Sequence, residues 1–405
     1  MCGYVCMKWI SIGDFKFDDE ERAAINKVIE SNRVTEHKNV LNFERKFADY
    51  IETKYAIVTN SGTSALIMGL ESIKDKGVKP FTKVITTPLT YVATINAIKL
   101  TGYDPVFVDV DSETFNIDVQ KIQAYLDGVD DIENYSMVLP VHLMGYPADM
   151  DEINKICDGF DMVSFEDSAQ AHGSMYKGRK CGSMSIASAF SFYVAHNIQV
   201  GEMGALTTND PMVAKISRRI KANGRICDCQ ICTRAQGTCP RGDEREQDPR
   251  FTHSHIGYNF KTTEFMAAIG LAQLRKNEII KNKRGENVKT LNEGLEKYSD
   301  IIKLPQYSDD VSYMAYPLIL RSNKISRKKL LYMLEKSGVE NRPLFSCIPT
   351  QQPSYGYLRE RYEGRLPNAE YIGRNGFYIG CHQYLSDDDI SYIINVFSKI
   401  LDNFN

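Results

Sequence analysis

Residues 55–73 read YAIVTNSGTSALIMGLESI. The first five, YAIVT, have the β-branched and aromatic character of a short strand. Asn60 and Ser61 interrupt the run, and GTSALIMGLESI reads as the helix after it, opening at Gly62. Outward from this unit the same alternation recurs. KVITT (83–87), PVFVDV (105–110), SMVLPV (136–141), MVSFE (162–166) and SAFSFY (188–193) read as further strands, several with helical stretches between them. Strand–helix alternation predicts an α/β fold with a mostly parallel sheet covered on both faces. Ligands in such sheets gather at the carboxyl ends of the strands. Four features fall there: Ser61–Gly62–Thr63, Tyr91, Asp167 and a turn holding His196.

The chain has 405 residues, enough for two domains. A large cofactor-binding domain is expected over 1–275, with residues 223–250 inserted as a polar, Gly- and Pro-punctuated loop. Residues 262–297 read as one long helix or two joined helices. Within 276–405, MAYPLIL (314–320), SRKKLLYMLEKSG (326–338) and a final helix near 387–401 predict a smaller C-terminal α+β domain. The net charge of −3 gives no sign of a nucleic-acid partner or an anionic membrane. No apolar run reaches membrane-spanning length, and the opening MCGYVCMKWISIGDF lacks the pattern of a signal peptide, so a cytoplasmic protein is expected.

In a reducing compartment the ten cysteines are not disulfides by default. Cys2, Cys6, Cys157, Cys181, Cys347 and Cys381 are scattered and need no role beyond that of small hydrophobes or idle thiols. Cys227, Cys229, Cys232 and Cys239 crowd into CDCQICTRAQGTC (227–239). Four thiolates so close can wrap a small inorganic centre. A tetrahedral zinc site is the competitor, and the spacing leaves both open.

Two site features carry chemistry of their own. Amides at a helix start bind phosphate well, although Ser-Gly-Thr before a helix is also ordinary N-capping. Asp167, in FEDSAQAHG, is an acid just past an apolar strand, where a buried carboxylate needs a cationic partner. A pyridinium nitrogen would serve, keeping a pyridoxal-type ring protonated as an electron sink. A salt bridge or a helix cap would serve as well.

The order of seven segments says more. TNSGTSAL, TTPLTYVATINAI, PVFVDVDSETFNID, VLPVHLMGYPADMDEI, FEDSAQAHGS, SFYVAHNIQVGEMGAL and HIGYNFKTTEFMAAIGLAQL follow one another. Over residues 10 to 400 the chain resembles the DegT/DnrJ/EryC1/StrS family, the nucleotide-sugar aminotransferases and dehydratases of the aspartate-aminotransferase fold. The resemblance implies a homodimer with two cofactor sites at the subunit interface. By motif position it implies that Gly62, Thr63 and Ser191 hold the cofactor phosphate and that Asn259 reaches the phosphate of the neighbouring subunit. It further implies that Tyr91 stacks on the ring, Asp167 pairs with the ring nitrogen and Gln170 touches the ring hydroxyl.

Most members of that family carry a lysine where His196 stands. The lysine links covalently to pyridoxal phosphate; imidazole forms no such stable linkage. The resemblance therefore implies a free cofactor, pyridoxamine phosphate, with His196 as the base that takes a proton from its methylene carbon. On a nucleotide-bound 4-keto sugar the expected outcome is loss of the C3 hydroxyl. The cysteine segment and its flanks, FTHSHIGYNFKTTE and SFYVAHNIQVGE, resemble the iron–sulfur branch of the 3-dehydratases, which serves 3,6-dideoxysugar biosynthesis. That likeness implies a [2Fe-2S] cluster fed by a reductase. FEDSAQAHG has no cysteine, so any cluster ligands would come from the loop itself. The rivals are a cluster-free 3-dehydratase recharged by glutamate, with a structural zinc, and a non-catalytic binder of sugar nucleotides. NRPLFSCIPTQQPSYGY (341–357) is expected to line the substrate cleft, with Arg342 as a phosphate contact.

Overall fold

Strand β1 (Tyr55–Thr59) does hand over to a helix, α3 (Gly62–Ser72), after two leading helices, α1 (Asp19–Ser31) and α2 (Lys38–Ile51). The computed structural model describes residues 8–404, apart from 228, 230, 232, 234–237 and 240–247. Beyond α3 the strands β2 (Lys83–Thr86), β3 (Asp104–Phe107), β4 (Tyr135–Leu139) and β5 (Val163–Ser164) alternate with α4 (Ala93–Leu100), α5 (Val119–Asp127) and α6 (Met150–Gly159). These strands form a wholly parallel unit in the order β3-β2-β4-β5.

Strand β6 (Glu166–Asp167) continues β5 past an interruption at Phe165. Its neighbours are β9 (Ser188–Ser191), then β10 (Gly204–Thr208), then β1; a small hairpin, β7 (Met175–Tyr176) and β8 (Arg179–Lys180), lies between β6 and β9 in the chain. Phe165 N–H donates to Val138 O at 3.0 Å and Asp167 N–H to Pro140 O at 2.9 Å. Val141 also bridges Asp167 in parallel. These bonds join the two units edge to edge. Strand β10 alone runs against its neighbours, and the whole is the mostly parallel sheet of the α/β expectation.

The differences from the expected strands have local causes. Strand β9 ends at Ser191, and the chain turns just beyond Phe192: Val200 N–H bonds Phe192 O at 2.9 Å, and Tyr193 bridges Gly201. Strand β3 stops at Phe107, while Val110 pairs with Ile117 in a separate bridge. Strand β10 had no counterpart in the expected set.

After α7 (Pro211–Ile220) the chain forms a short stem. Ala222 bridges Asn259 and Arg225 bridges His253, both antiparallel. The cysteine segment springs from this stem. Gly224 is required in it: φ is +76°, and a Cβ there would lie 1.8 Å from His255 O. Residues 262–297 resolve into two helices, α8 (Glu264–Arg275) and α9 (Asn277–Leu295), which meet at Lys276. A second sheet, β11 (Ile302–Lys303), β12 (Tyr316–Leu320), β14 (Gly376–Ile379) and β13 (Asn341–Pro343), is antiparallel in that order. The start of the chain joins it: Ile10 bridges Val339, and Ile12 N–H donates to Glu340 Oε2 at 3.0 Å. Among the described residues no helix is long and apolar enough to cross a membrane.

Candidate active site

The carboxyl end of β1 and the start of α3 make the first wall of the site. Ser61 caps α3, its Oγ accepting from Ser64 N–H at 3.1 Å. The amides of Gly62 and Thr63 therefore lie in the first turn, where backbone donors and the helix dipole favour an anion. Gly62 is pressed against the end of β9: a Cβ on it would sit 2.6 Å from Ser191 Cβ. The fold thus brings Gly62, Thr63 and Ser191 together, and the same N-capped turn is suited to an anion.

Asp167 ends β6 and is buried. Thr94 Oγ–H donates to its Oδ2 at 2.8 Å and Ala169 N–H to its Oδ1 at 3.1 Å. Among the described residues no cation pairs with it, and burial raises its pKa. Glu166, one residue earlier, is a structural acid. It accepts from His142 Nε2 (3.1 Å), Gly182 N–H (2.7 Å), Met184 N–H (3.0 Å) and Ser185 Oγ–H (2.7 Å). Burial alone would raise its pKa, but His142 and these donors outweigh burial and lower it. Of the two acids, Asp167 is the one the protein leaves short of a positive partner.

His196 sits in the turn between β9 and β10, with its N–H on Tyr193 O at 2.9 Å. The ring is half-buried, and Nδ1 lies 2.9 Å from Ser191 O. A carbonyl oxygen only accepts, so Nδ1 carries the hydrogen and Nε2 keeps its lone pair. Burial pushes the pKa down to about 4, against the bond to Ser191 O, so the imidazole is neutral near pH 7. A neutral ring with one nitrogen fixed as donor keeps a lone pair on the other that can take a proton, and burial makes it a weaker base than a free imidazole. His172, from FEDSAQAHGS, is buried with its ring centroid 6.2 Å from that of His196.

The remaining expected residues divide into two groups. Tyr91 is 61% exposed above the start of α4, with its ring 6.2 Å from that of Phe345. Residues 341–357 do approach this wall: Ile348 N–H donates to Pro88 O at 2.8 Å. Gln170 is buried, and its Oε1 accepts from Met144 N–H at 2.8 Å, which leaves the NH₂ end as the donor. Tyr91 is tied to Asp167 through Thr94, whose hydroxyl lies 3.3 Å from Tyr91 O and 2.8 Å from Asp167 Oδ2, and Gln170 follows Asp167 by three residues. Asn259 is exposed on the stem, opposite Ala222, while the next residue binds back through Phe260 O to Asn60 N–H at 2.9 Å. Arg342 is on β13 and its Nη2 is 3.2 Å from Glu340 Oε1, so that guanidinium is already engaged by a carboxylate. Cys227 and Cys239 are half-buried and Cys229 is exposed. Cys232 lies outside the described residues, as do Cys2 and Cys6. Among the described residues no three His, Cys, Asp or Glu side chains are grouped to hold a metal ion.

The site suits a pyridoxal-type group on its own chemistry. A buried carboxylate lacks a cation among the described residues, and a helix start suited to an anion meets the end of β9, the strand beside its own. Comparison with known proteins bears on the same point. The model of the DegT/DnrJ/EryC1/StrS aminotransferase family matches residues 16–398. The chain belongs to this family. Its relatives carry two kinds of activity in their names. A dTDP-4-dehydro-2,6-dideoxy-D-glucose 3-dehydratase of Saccharopolyspora spinosa is 29% identical over 95% of this chain and 85% of its own length. A GDP-perosamine synthase of Caulobacter vibrioides is 28% identical over 97% of this chain and 98% of its own. Among solved structures, an E. coli GDP-4-keto-6-deoxy-D-mannose-3-dehydratase with bound hydrated PLP superposes with a TM-score of 0.84. It is 26% identical and covers 96% of this chain and 99% of its own. The fold is accordingly that of the aspartate-aminotransferase-like enzymes, and the chain is an enzyme of a family that holds sugar aminotransferases and 3-dehydratases.

Three residues of the site have no place among the motif roles. Thr94 and His142, the partners of Asp167 and Glu166, lie inside the quoted segments, but only the fold pairs them with the two acids. Arg284 is buried behind the His196 turn. Its signal in the sequence is an arginine on the apolar stripe Ile280, Val288, Leu291, Leu295 at helical spacing.

Proposed function

We propose that the chain is a pyridoxamine-phosphate-dependent 3-dehydratase of a nucleotide-linked 4-keto-6-deoxyhexose or a related sugar, working as a homodimer. The supporting observation is His196: Nδ1 committed to Ser191 O, Nε2 open, the ring neutral near pH 7. Bound in this site, the cofactor would supply an amine for the sugar ketone and an electron sink in its protonated ring. Gly62, Thr63 and Ser191 hold its phosphate, with Asn259 serving the neighbouring subunit's site. Asp167 holds the ring nitrogen's proton, Gln170 donates to the ring hydroxyl and Tyr91 covers the ring face. His196 Nε2 takes the proton from the methylene carbon. Lys221, a buried lysine of the large domain, is engaged elsewhere, with Nζ 3.2 Å from both Glu36 Oε1 and Glu44 Oε1.

Overall, the C3 hydroxyl leaves as water and two electrons with two protons give the 3-deoxy-4-keto sugar. Cys227, Cys229, Cys232 and Cys239 would hold a [2Fe-2S] cluster passing single electrons from a reductase. The stem that carries them packs beside Asn60, next to the phosphate turn. A second reading, a cluster-free 3-dehydratase recharged by glutamate with a structural zinc, is favoured by one observation: a similar solved structure is a GDP-4-keto-6-deoxymannose-3-dehydratase with a trapped PLP-glutamate geminal diamine.

Solvent deuterium exchange at the cofactor methylene tests the base. The expected result is exchange in the parent and none in His196→Ala; equal exchange rejects the role. Iron with acid-labile sulfide in anaerobically purified protein supports the electron relay, and zinc alone removes it. A covalent link between the cofactor and any lysine of this chain would sink the dehydratase reading. Mass spectrometry of the products from CDP-, GDP- and dTDP-linked 4-keto sugars identifies the nucleotide.

A further inference from the structure

Helix α9 places a full positive charge behind the His196 turn. Arg284 is completely buried. Its Nη1 donates to the carbonyl oxygens of Tyr313 (3.2 Å) and Met314 (2.7 Å), and its Nε to Gln383 Oε1 (3.1 Å). Nη2 has no hydrogen-bond partner. Among the described residues no carboxylate forms an ion pair with it. The contrast with Lys221 is direct, since that buried cation touches two glutamates. A buried charge that meets carbonyl and amide dipoles and the Cys381 thiol, but no carboxylate, costs stability, so its position calls for a reason.

Two chains of contacts run from Arg284 to the turn. Along the first, Gln383 Nε2 donates to Gln199 Oε1 at 3.3 Å, and the Gln199 side-chain nitrogen donates to Val194 O. Along the second, the Tyr313 and Met314 carbonyls held by Arg284 follow Ser312, whose carbonyl oxygen accepts from Asn197 Nδ2 at 3.0 Å. Ser312 is itself fixed, its N–H donating to Ser174 Oγ at 2.9 Å. Val194 and Asn197 bracket His196. We propose that Arg284 is a positioning residue for His196: its guanidinium braces the turn on both sides of the imidazole and sets a positive charge behind that ring.

The proposal rests on the reading of His196 as the base. The groups around the pair are consistent with it. His172 faces His196 from the β6 side, and Tyr193 flanks it in the turn. Cys381, His382 and Tyr384 surround Arg284 from the loop after β14, with Asp14 and Lys16 beyond His382. Burial is the main cause that lowers His172, His196 and His382, and the Arg284 charge acts in the same direction on all three.

The test is an NMR titration of the His196 ring in the cofactor-free protein, with the signal assigned by its loss in His196→Ala. In Arg284→Gln the His196 pKa is expected to rise by roughly one unit. In Arg284→Lys, which keeps the charge, it is expected to stay. Gln383→Leu cuts one brace and keeps the charge. It should lower kcat about tenfold, with KM for the sugar nucleotide and the His196 titration unchanged. An unshifted His196 in folded Arg284→Gln overturns the proposal, as does an unaltered kcat in Gln383→Leu. Should Arg284→Gln fail to fold, the Gln383→Leu result decides alone. Full activity in His196→Ala would reject the base, while the titration would still show whether Arg284 sets the state of the ring.

Discussion

Glu166 and Asp167 are consecutive acids on one strand, so they face opposite sides of the sheet and meet two different regions. Behind the sheet, Glu166 is enclosed by His142 and three further donors, and its network is complete within the chain. In front, Asp167 has two donors and no cation among the described residues. Both are buried, and their pKa values move in opposite directions. The difference separates a carboxylate whose partners are complete from one that the described residues leave without a cation. Burial and residue type alone do not distinguish them.

The comparison can be broken most readily from behind. Glu166→Ala leaves His142 and two backbone amides without their partner, and should cost about 3–5 kcal/mol in chemical unfolding. If the midpoint does not move, the rear network is not structural. Asp167→Asn should do the reverse. The cofactor-free protein is expected to keep its stability within about 1 kcal/mol, while pyridoxamine phosphate binds about a hundredfold more weakly by fluorescence titration. Retained affinity would mean that the front acid meets no ring nitrogen. Thr94→Val removes one donor to Asp167 and should weaken the same binding about tenfold, the value of a hydrogen bond to a charged group.

A further test is in pH. His172, His196 and His382 titrate lower in the folded chain than the free value of 6.5. The unfolded chain therefore binds more protons between 6.5 and about 4, and stability should fall as pH drops through that window and be flat above it. Glu166, lowered in the fold, adds to this loss below its free value of 4.5. Asp167, raised in the fold, opposes it. Acid unfolding curves should thus become shallower in Glu166→Gln and steeper in Asp167→Asn.

The strand ends that carry Ser61–Gly62–Thr63, Asp167 and His196 were legible because each follows a short apolar run, and the fold places ligands at such ends. The break at Lys276 was legible only as an alternative, since helical periodicity does not mark a one-residue kink. Strand β10 was hidden by its neighbourhood: GALTT follows a turn rich in glycine and is held by pairing with both β1 and β9. Pairings across long separations, such as Thr94 with Asp167 or Gln383 with Arg284, leave no local trace. Arg284 itself does leave one, as the charged member of an apolar stripe.

The seam between Ile10 and Val339 has a consequence for synthesis. Ser11 Oγ lies 3.3 Å from His382 Nε2, a partner 371 residues further on. The first described residues must wait on the ribosome, unpartnered, until nearly all of the chain has emerged. Strand β1 waits in the same way for β10, which is made about 150 residues later. Assembly of the polypeptide is therefore closed by its beginning rather than by its end, and a tag placed ahead of Ile10 would be carried into that last joining step.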